Sequence, residues 1–420
     1  MAFDSRICFC FGYTFKKINK LHYVWALILA ILLAANPVSL YQITSYYIDG
    51  QMNSLMITLL ALFSLIFTTD DKKELNNYKL LLVVSGILLI NIKLVGLIYA
   101  AIFLAAYIGF IIVRKNLIFR QIIFLTLLIA IGGVGLFGFS SFVTNQIYNG
   151  NILYPIFGKN TYDFKSENLP NNFRTKNNLE VALYTPFLES DNTRGEKDIG
   201  NFKIPLTITG VEYKAFAGSN AKKGGFGPLF GGTLILSGLI LVWFLFIQYR
   251  TKRTLNDDEN SEKNKLYKQN WTSFYTLLFT LAIICFSVVL NSASTYARFV
   301  PQYWLLVIFV IGFAFISKFK TLKAIAFVMS CLLLFNIFFV TKANLDYQVA
   351  TTDKLKAKLS EVKSKTSKEK PLIIDFNNAT ATRQRLKDFG IYYQDSKTLT
   401  CKSKTQYYFP DNESDVCLIK

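Results

Sequence analysis

Apolar residues in this chain gather into nine stretches, at about residues 22–36, 51–69, 79–92, 93–113, 120–140, 230–249, 272–290, 299–317 and 322–341. Most approach the ~20 residues that an α-helix needs to cross a ~30 Å hydrocarbon core. Inside lipid each backbone polar group must find an internal partner, so stretches of this length are expected to be helices. The third is short and adjoins the fourth, with Asn91 and Lys93 marking the break. The pair reads either as a tight hairpin of two spans or as one long bent element.

The polar connectors carry an orientation signal. Basic residues are frequent in the N-terminal arm (Arg6, Lys16, Lys17, Lys20), in 70–79 (Lys72, Lys73, Lys79), in 114–120 (Arg114, Lys115, Arg120), in 250–271 and in 318–323. They are absent from 37–50 and reduced to Lys93 and Arg298 in two other connectors. Rich and poor connectors alternate if the chain crosses nine times. The positive-inside rule then places the N-terminus in the cytoplasm and the C-terminus outside. The predicted organisation is a cytoplasmic arm 1–21, five transmembrane helices in 22–140, an outer loop 141–229, four more helices in 230–341 and an outer C-terminal domain 342–420. The arm has no small-residue cleavage site, so the first span is expected to serve as an uncleaved anchor.

Both outer segments are long. Residues 141–229 open on the turn-forming run Asn149-Gly150-Asn151-Ile152-Leu153-Tyr154-Pro155 and close on Lys222-Lys223-Gly224-Gly225-Phe226-Gly227-Pro228. About ninety residues is long for a connector, and loops of that length are usually functional or disordered. Here the choice lies between a cover over a lipid-linked ligand and a flexible link between spans. In 342–420, Leu355–Lys370 is helical in composition, 371–376 reads as a strand, and Ala379–Phe389 as a helix ended by Gly390. Further strands at 391–393 and 406–409 make a small α/β unit. The expected fold class is thus an all-α polytopic integral membrane protein with about nine transmembrane helices, a long outer loop and a small α/β C-terminal outer domain.

Composition narrows the function. Of 420 residues 52% are hydrophobic and 17% charged, against about a quarter charged in soluble domains. The net charge of +19 invites a nucleic-acid reading. Much of it lies beside apolar stretches, where it sets membrane orientation, so no nucleic-acid partner is expected. A single histidine, His22, excludes a His-based metal centre or a Ser-His-Asp triad, and six cysteines without a CxxC disfavour zinc ribbons and thioredoxin-like motifs. Cys401 and Cys417 would face an oxidising compartment; a disulfide between them, closing a ~17-residue loop, would stabilise the tail by about 3 kcal/mol.

Candidate chemistry sits at the outer membrane edge, where ionisable groups are costly and often functional. Asp49, the only acidic residue of its connector, is either a helix N-terminal carboxylate favoured by the dipole or a carboxylate that orients or deprotonates an acceptor. Lys93, a lone outer cation, either snorkels to headgroups or holds a phosphate. Arg298, flanked by Tyr296 and Pro301, is either an interfacial anchor or a phosphate ligand acting through its planar fork. Tyr154-Pro155 forms a membrane-edge turn, although interfacial tyrosine is common.

In this order the elements resemble the GT-C class of membrane glycosyltransferases, which use polyprenyl-phosphate-linked sugars. Asn36-Pro37 with Tyr47-Ile48-Asp49 looks like the N-P…Y-x-D stretch of that class, and Lys93-Leu94-Val95-Gly96 like its Lys-x-x-Gly. Gly150-Asn151-Ile152-Leu153-Tyr154-Pro155 is similar to G-N-P-x-Y-P with Ile152 in place of proline, and Ala297-Arg298-Phe299-Val300-Pro301 matches A-R-Y/F-x-x-P. The resemblance covers roughly residues 25–315. The Asp/Glu-x-x-Tyr-His of the first outer loop of that class has no counterpart here. The resemblance therefore implies a truncated or inactive member, or a partner that supplies the missing N-terminal loop. Its implied reaction transfers a sugar from a polyprenyl-phosphate donor to a cell-envelope glycan acceptor, with Asp49 as catalytic base and Lys93, Tyr154, Tyr296 and Arg298 on the substrate. It implies no cofactor beyond the lipid-linked donor substrate, assigns no metal ligand among these residues and leaves a divalent metal open.

Two other readings stand beside it. An O-antigen or capsule repeat-unit polymerase shares the spans, the large outer loop and the outer arginines that grip lipid diphosphate. That reading does not require the missing acid; the other is a non-catalytic scaffold or transporter of envelope glycan assembly, although spans with few buried charges and no evident inverted repeat speak against a transporter. Lys- and Asn-rich composition with short basic connectors fits the bacterial inner membrane.

Overall fold

The computed structural model describes residues 21–114, 118–158, 163, 167–253, 262–374, 380–396, 405–406 and 415–418, the last two stretches by backbone alone. It is mostly helical. The helices are α1 Tyr23–Ala34, α2 Pro37–Gln42, α3 Asp49–Thr68, α4 Lys72–Ile92, α5 Leu94–Val113, α6 Phe119–Ala130, α7 Thr144–Asn149, α8 Asn178–Tyr184, α9 Gly210–Ala215, α10 Phe230–Lys252, α11 Glu262–Val289, α12 Tyr303–Ile316, α13 Lys320–Lys365 and α14 Thr380–Asp388. Two compact units divide the chain, residues 1–343 and 344–420.

Among the described residues seven helices are long and apolar enough to cross a membrane: α3, α4, α5, α6 with its continuation to Leu136, α10, α11 and α13. Their outer faces carry bare apolar side chains, among them Leu80, Val84 and Leu88 of α4, Phe124 and Leu127 of α6, Val242 of α10 and Phe335 of α13. Such a surface is suited to lipid. The two remaining apolar stretches give shorter helices. In α1 the rod stops after 12 residues, because Asn36 caps a fresh helix by accepting from Val38 N at 2.9 Å and Pro37 occupies its first position. In α12, of 14 residues, nearly every side chain is buried. Trp304 donates to Leu32 O at 2.7 Å, and Phe315 stacks on Trp25 at 4.4 Å.

Helix limits differ from the apolar stretches where polar turns extend them. The third stretch, short in sequence, becomes a helix of 21 residues because Asp71 caps it, accepting from Lys73 N and Glu74 N at 2.7 and 3.0 Å. The connector expected over 70–79 is therefore mostly helix. Lys93 alone is extended between α4 and α5, so this pair is a hairpin of two helices and not one bent rod. A Cβ on Gly96 would lie 2.0 Å from Leu89 O, which only glycine avoids at this return. Beyond Ala130 the backbone widens into π-helical turns over Ile131–Leu136 and Phe139–Val143. Gly132 and Gly133 there admit Ile87 and Ile90 of α4, and Asn91 donates to Gly133 O at 2.9 Å.

In the second unit, β1 Leu372–Ile374 pairs in parallel with β2 Tyr393–Asp395 through α14, a β-α-β unit, and antiparallel with β4 Asp415–Leu418, which pairs with β3 Thr405–Gln406. The sheet order is β2-β1-β4-β3. Leu359 and Val362 of α13 share a core with Leu372, Ile374, Leu386 and Ile391. Gly390, at φ +67°, ends α14. Sequence composition divides a span at 322–341 from a lysine-rich helix at 355–370, but one helix, α13, covers both. No glycine or proline interrupts 320–365. Cys401 lies outside the described residues and Cys417 is described by backbone only, so the expected disulfide falls outside them.

Replacing Gly96 by alanine is expected to force the α4–α5 return apart. Overpacking of this kind costs roughly 1–3 kcal/mol, which should appear as a lower thermal midpoint in detergent. Gly109→Ala, where a Cβ meets open space, should leave the midpoint unchanged.

Candidate functional site

Four breaks in the helical bundle meet at one place. The α2–α3 connector brings Tyr47 and Asp49, the α4–α5 return brings Lys93, the loop between α11 and α12 brings 291–302, and the outer segment closes on its far side. Asn36, at the start of α2, ties that helix to the third of these breaks, donating to Pro301 O at 3.0 Å. Tyr99 of α5 donates to Phe299 O at 2.6 Å, and Asn291 donates to the same carbonyl at 3.2 Å.

Asp49 opens α3 and is 1% exposed. Its Oδ1 pairs with Lys93 Nζ, and its Oδ2 accepts from Gln42 Nε2 at 3.2 Å. Gln42 turns its other end to Gly50 N, accepting at 3.3 Å. The Lys93 side chain stays 28% exposed, so the pair is buried on the acid's side and open on the lysine's. Lys93 Nζ also stands 5.0 Å from the centre of the Phe299 ring.

Arg298 also stands over that ring, with Cζ 4.8 Å from its centre, 4.8 Å from Tyr47 and 5.4 Å from Tyr296. Aromatic faces hold a guanidinium by cation–π attraction and leave its N–H edge available. Arg298 Nε is buried without a hydrogen-bond partner, as are Ser294 Oγ and Thr295 Oγ1 beside it. Each such group costs about 1–3 kcal/mol if left unpaired, so buried polar atoms of this kind call for a partner. Of these three charged groups Lys93 lines a cavity, whose wall also carries the carboxylate of Asp163. The cavity measures about 400 Å³ and is lined by Lys93, Tyr99, Phe157, Asn178, Asn291 and Phe299, among others.

The structure brings Asp49, Lys93, Tyr296 and Arg298 together. Tyr154 is not with them. Its carbonyl accepts from Asn145 at 2.9 Å, and the next residues but one, Ile156 and Phe157, reach the cavity wall. Sequence reading took the tyrosine of this turn as the contact, whereas the turn delivers the apolar pair behind it. Sequence reading also passed over Gln42, Tyr99, Asn291 and Arg194. Gln42 had one usable signal, a polar residue seven positions before Asp49. Arg194 had none, since it lies about a hundred residues from Arg298 in an irregular loop. Burial pushes the Tyr296 hydroxyl upward in pKa, against the pull of the Arg194 and Arg298 charges.

Residues 167–229 of the outer segment are folded, which removes the flexible-link reading for them. Asp198 is 2% exposed and receives Lys222 and Lys223, the latter at 3.2 Å, and Lys223 also meets Asp191 at 2.8 Å. Lys203 pairs with the fully buried Glu212 at 2.6 Å. Capping boxes at Asn177/Glu180 and Thr209/Glu212 start α8 and α9. The segment is clamped to the bundle by Tyr303, which donates to Ala182 O at 2.9 Å. At its end Gly225, at φ +84°, lets the chain turn so closely that an added Cβ would lie 2.7 Å from Ala297 Cβ. The cover over Arg298 is therefore held by salt links within and by glycine contact below. Among the described residues no group of three or more His, Cys, Asp or Glu could hold a metal ion.

Asp198→Asn should strand Lys222 and leave Lys223 with Asp191 as its remaining carboxylate, at a cost of about 3–5 kcal/mol, read as faster limited proteolysis within 167–229. Acid tests the same network. Burial works against the Asp191 carboxylate, but hydrogen bonds from Lys223 and Thr193 outweigh it and hold the carboxyl below its ordinary value. Its contribution is full above the unfolded carboxylate pKa of about 3.9 and is lost as pH falls through the lower folded value. Protease sensitivity should accordingly be flat from neutrality to about pH 4 and rise below it.

Known protein families, curated proteins and solved structures offer no match to this chain.

Proposed function

We propose that this protein is a membrane glycosyltransferase that binds a polyprenyl-phosphate-linked sugar at its outer edge and transfers the sugar to a cell-envelope glycan acceptor. The observation that carries the reading is the convergence of Asp49, Lys93 and Arg298 around Phe299, beside a cavity open to Lys93. Two cations over one aromatic ring, one of them paired with a buried carboxylate, suit an anion tethered to lipid. The reading goes with nine crossings, α1 with α2 and α12 supplying the two short ones. It places the N-terminus in the cytoplasm, the C-terminal unit in the periplasm and the protein in a bacterial inner membrane.

In this reading the donor phosphate draws Lys93 off Asp49 and lies between Lys93 and the Arg298 fork. Lys93 can move because its side chain is partly exposed. The freed Asp49 Oδ1 takes the proton of the acceptor hydroxyl as its oxygen bonds to the anomeric carbon. The bond from that carbon to the phosphate oxygen breaks, and the polyprenyl phosphate leaves with its new charge held by the two cations. The resting ion pair thus keeps the base occupied until donor arrives.

With a polyprenyl-monophosphate sugar in proteoliposomes, Asp49→Asn should lower turnover by about 10²–10⁴ while donor still binds, the range expected for loss of a general base. Lys93→Met and Arg298→Lys should instead weaken donor binding, the latter because lysine lacks the planar fork. Wild-type protein that transfers no sugar, together with unchanged envelope glycan in cells carrying these variants, would reject the reading. Turnover of a diphosphate-linked oligosaccharide in its place would identify a repeat-unit polymerase.

A further inference from the structure

A second cavity, of about 460 Å³, lies far along the same helices from Lys93. It is a groove whose floor is Phe63, Phe103 and Tyr107, all buried. Phe63 and Tyr107 stack at 4.1 Å, and Tyr107 donates to Phe63 O at 2.9 Å, which closes off its hydroxyl. One wall is a stripe on α11, Thr272, Thr276 and Thr280, at four-residue spacing. These hydroxyls donate to the carbonyls four residues back at 3.1, 2.9 and 2.9 Å. Ser64 and Thr68 on the opposite wall do the same at 3.1 and 2.8 Å. Every one of these hydroxyls is thereby spent on a backbone carbonyl, those of the threonines and Ser64 inside their own helices, and the groove presents methyls and rings.

Its length identifies the kind of guest. From Phe103 to Arg114 along α5 is roughly 17 Å at 1.5 Å per residue. That is about one leaflet of a ~30 Å hydrocarbon core. Only the membrane end carries charge. Arg114 lines the groove there with its guanidinium 5.4 Å from the Phe110 ring. No hydrogen bond or ion pair engages it among the described residues. Lys268 stands exposed one helical turn beyond Thr272 on the same stripe. An apolar trough one leaflet deep, ending on an open guanidinium and a lysine, matches an acyl chain with an anionic head.

We propose that this groove is a binding site for one anionic phospholipid of the leaflet at that end, its acyl chain along Phe63, Phe103 and Phe279 and its phosphate on Arg114 with Lys268 beside it. The site is separate from the Asp49–Lys93 cavity and does not rest on the glycosyl-transfer reading.

The test uses the full chain in phosphatidylcholine nanodiscs. Phosphatidylglycerol with a photoreactive group on its acyl chain is added, and cross-linked peptides are mapped. Labelling should concentrate on 60–68, 103–110 and 276–283. Arg114→Gln should reduce it roughly tenfold, the value of one charge-assisted contact, and Arg114→Lys should restore part of it. Thr276→Trp, which fills the trough, should abolish it while the thermal midpoint reports that the protein stays folded. Equal labelling by a matching phosphatidylcholine probe, an unchanged signal in Arg114→Gln, or cross-links spread over all lipid-facing helices would overturn the proposal. So would preferential labelling of the groove by a polyprenyl-phosphate probe or by a second protein.

Discussion

Wherever a helix of the bundle stops within the apolar region, an amide side chain takes over the hydrogen bonds of the backbone. Asn36 caps α2 and reaches across to Pro301 O. Asn291, with Tyr99, holds Phe299 O. Asn91 meets Gly133 O at the widened turns after α6. Asn336, buried on α13, accepts from Leu229 N at 2.9 Å and donates to Phe226 O at 2.8 Å where α10 begins. Unpaired backbone groups cost several kcal/mol in hydrocarbon, so irregular chain survives there only where protein supplies partners. The candidate site is possible because these breaks are paid for in amide contacts.

Placing the breaks side by side has an electrostatic consequence. The breaks bring together Asp49 at the first position of α3, the extended Lys93 and the 294–298 run. A carboxylate at 1% exposure is tolerable beside a cation and an amide donor, and costly without them. Lys93 supplies the charge because it is the single extended residue between two helices and so can point along the hairpin's end. Gly96 makes that return tight enough to hold it there. Arg298 needs no carboxylate because three rings surround it, and its unpaired Nε marks where an anion would complete the group.

Much of this was readable in the chain. Nine apolar stretches gave nine apolar helices, and Lys93 was visible as the break between two of them, although sequence left hairpin and bent rod open. The short third stretch misled because apolarity ends before helicity does: Asp71 and the polar turn after it are helix formers that hydropathy ignores. The division of α13 into a span and a separate helix failed for the same reason, since polarity changes there without any breaker. In the site, Asp49, Lys93 and Arg298 stood out as charges beside apolar stretches. The ion pair of the first two, 44 residues apart, could not be read, because pairing depends on how the α4–α5 return packs against α3. Tyr154 misled because turn residues and contact residues differ by two positions. The order inside the outer segment was hidden too. Asp198 and Lys222-Lys223 look solvated in sequence, and only long-range closure buries them.

One helix links the two cavities. Lys93 precedes the first residue of α5 and Arg114 follows its last, and the 20 residues between span about 30 Å, the thickness of a hydrocarbon core. A helix so short of polar residues cannot slide far in either direction without drawing a cation into lipid, which is expensive even with snorkelling. The two charges therefore fix the depth of α5, and through Tyr99 and Tyr107 on its buried face they fix what packs on it. Tyr99 positions the Phe299 carbonyl near Lys93, and Tyr107 seals the floor of the groove toward Arg114. Cations at opposite ends of one rigid element set the two cavities a helix length apart, so an occupant of either need not compete with the other.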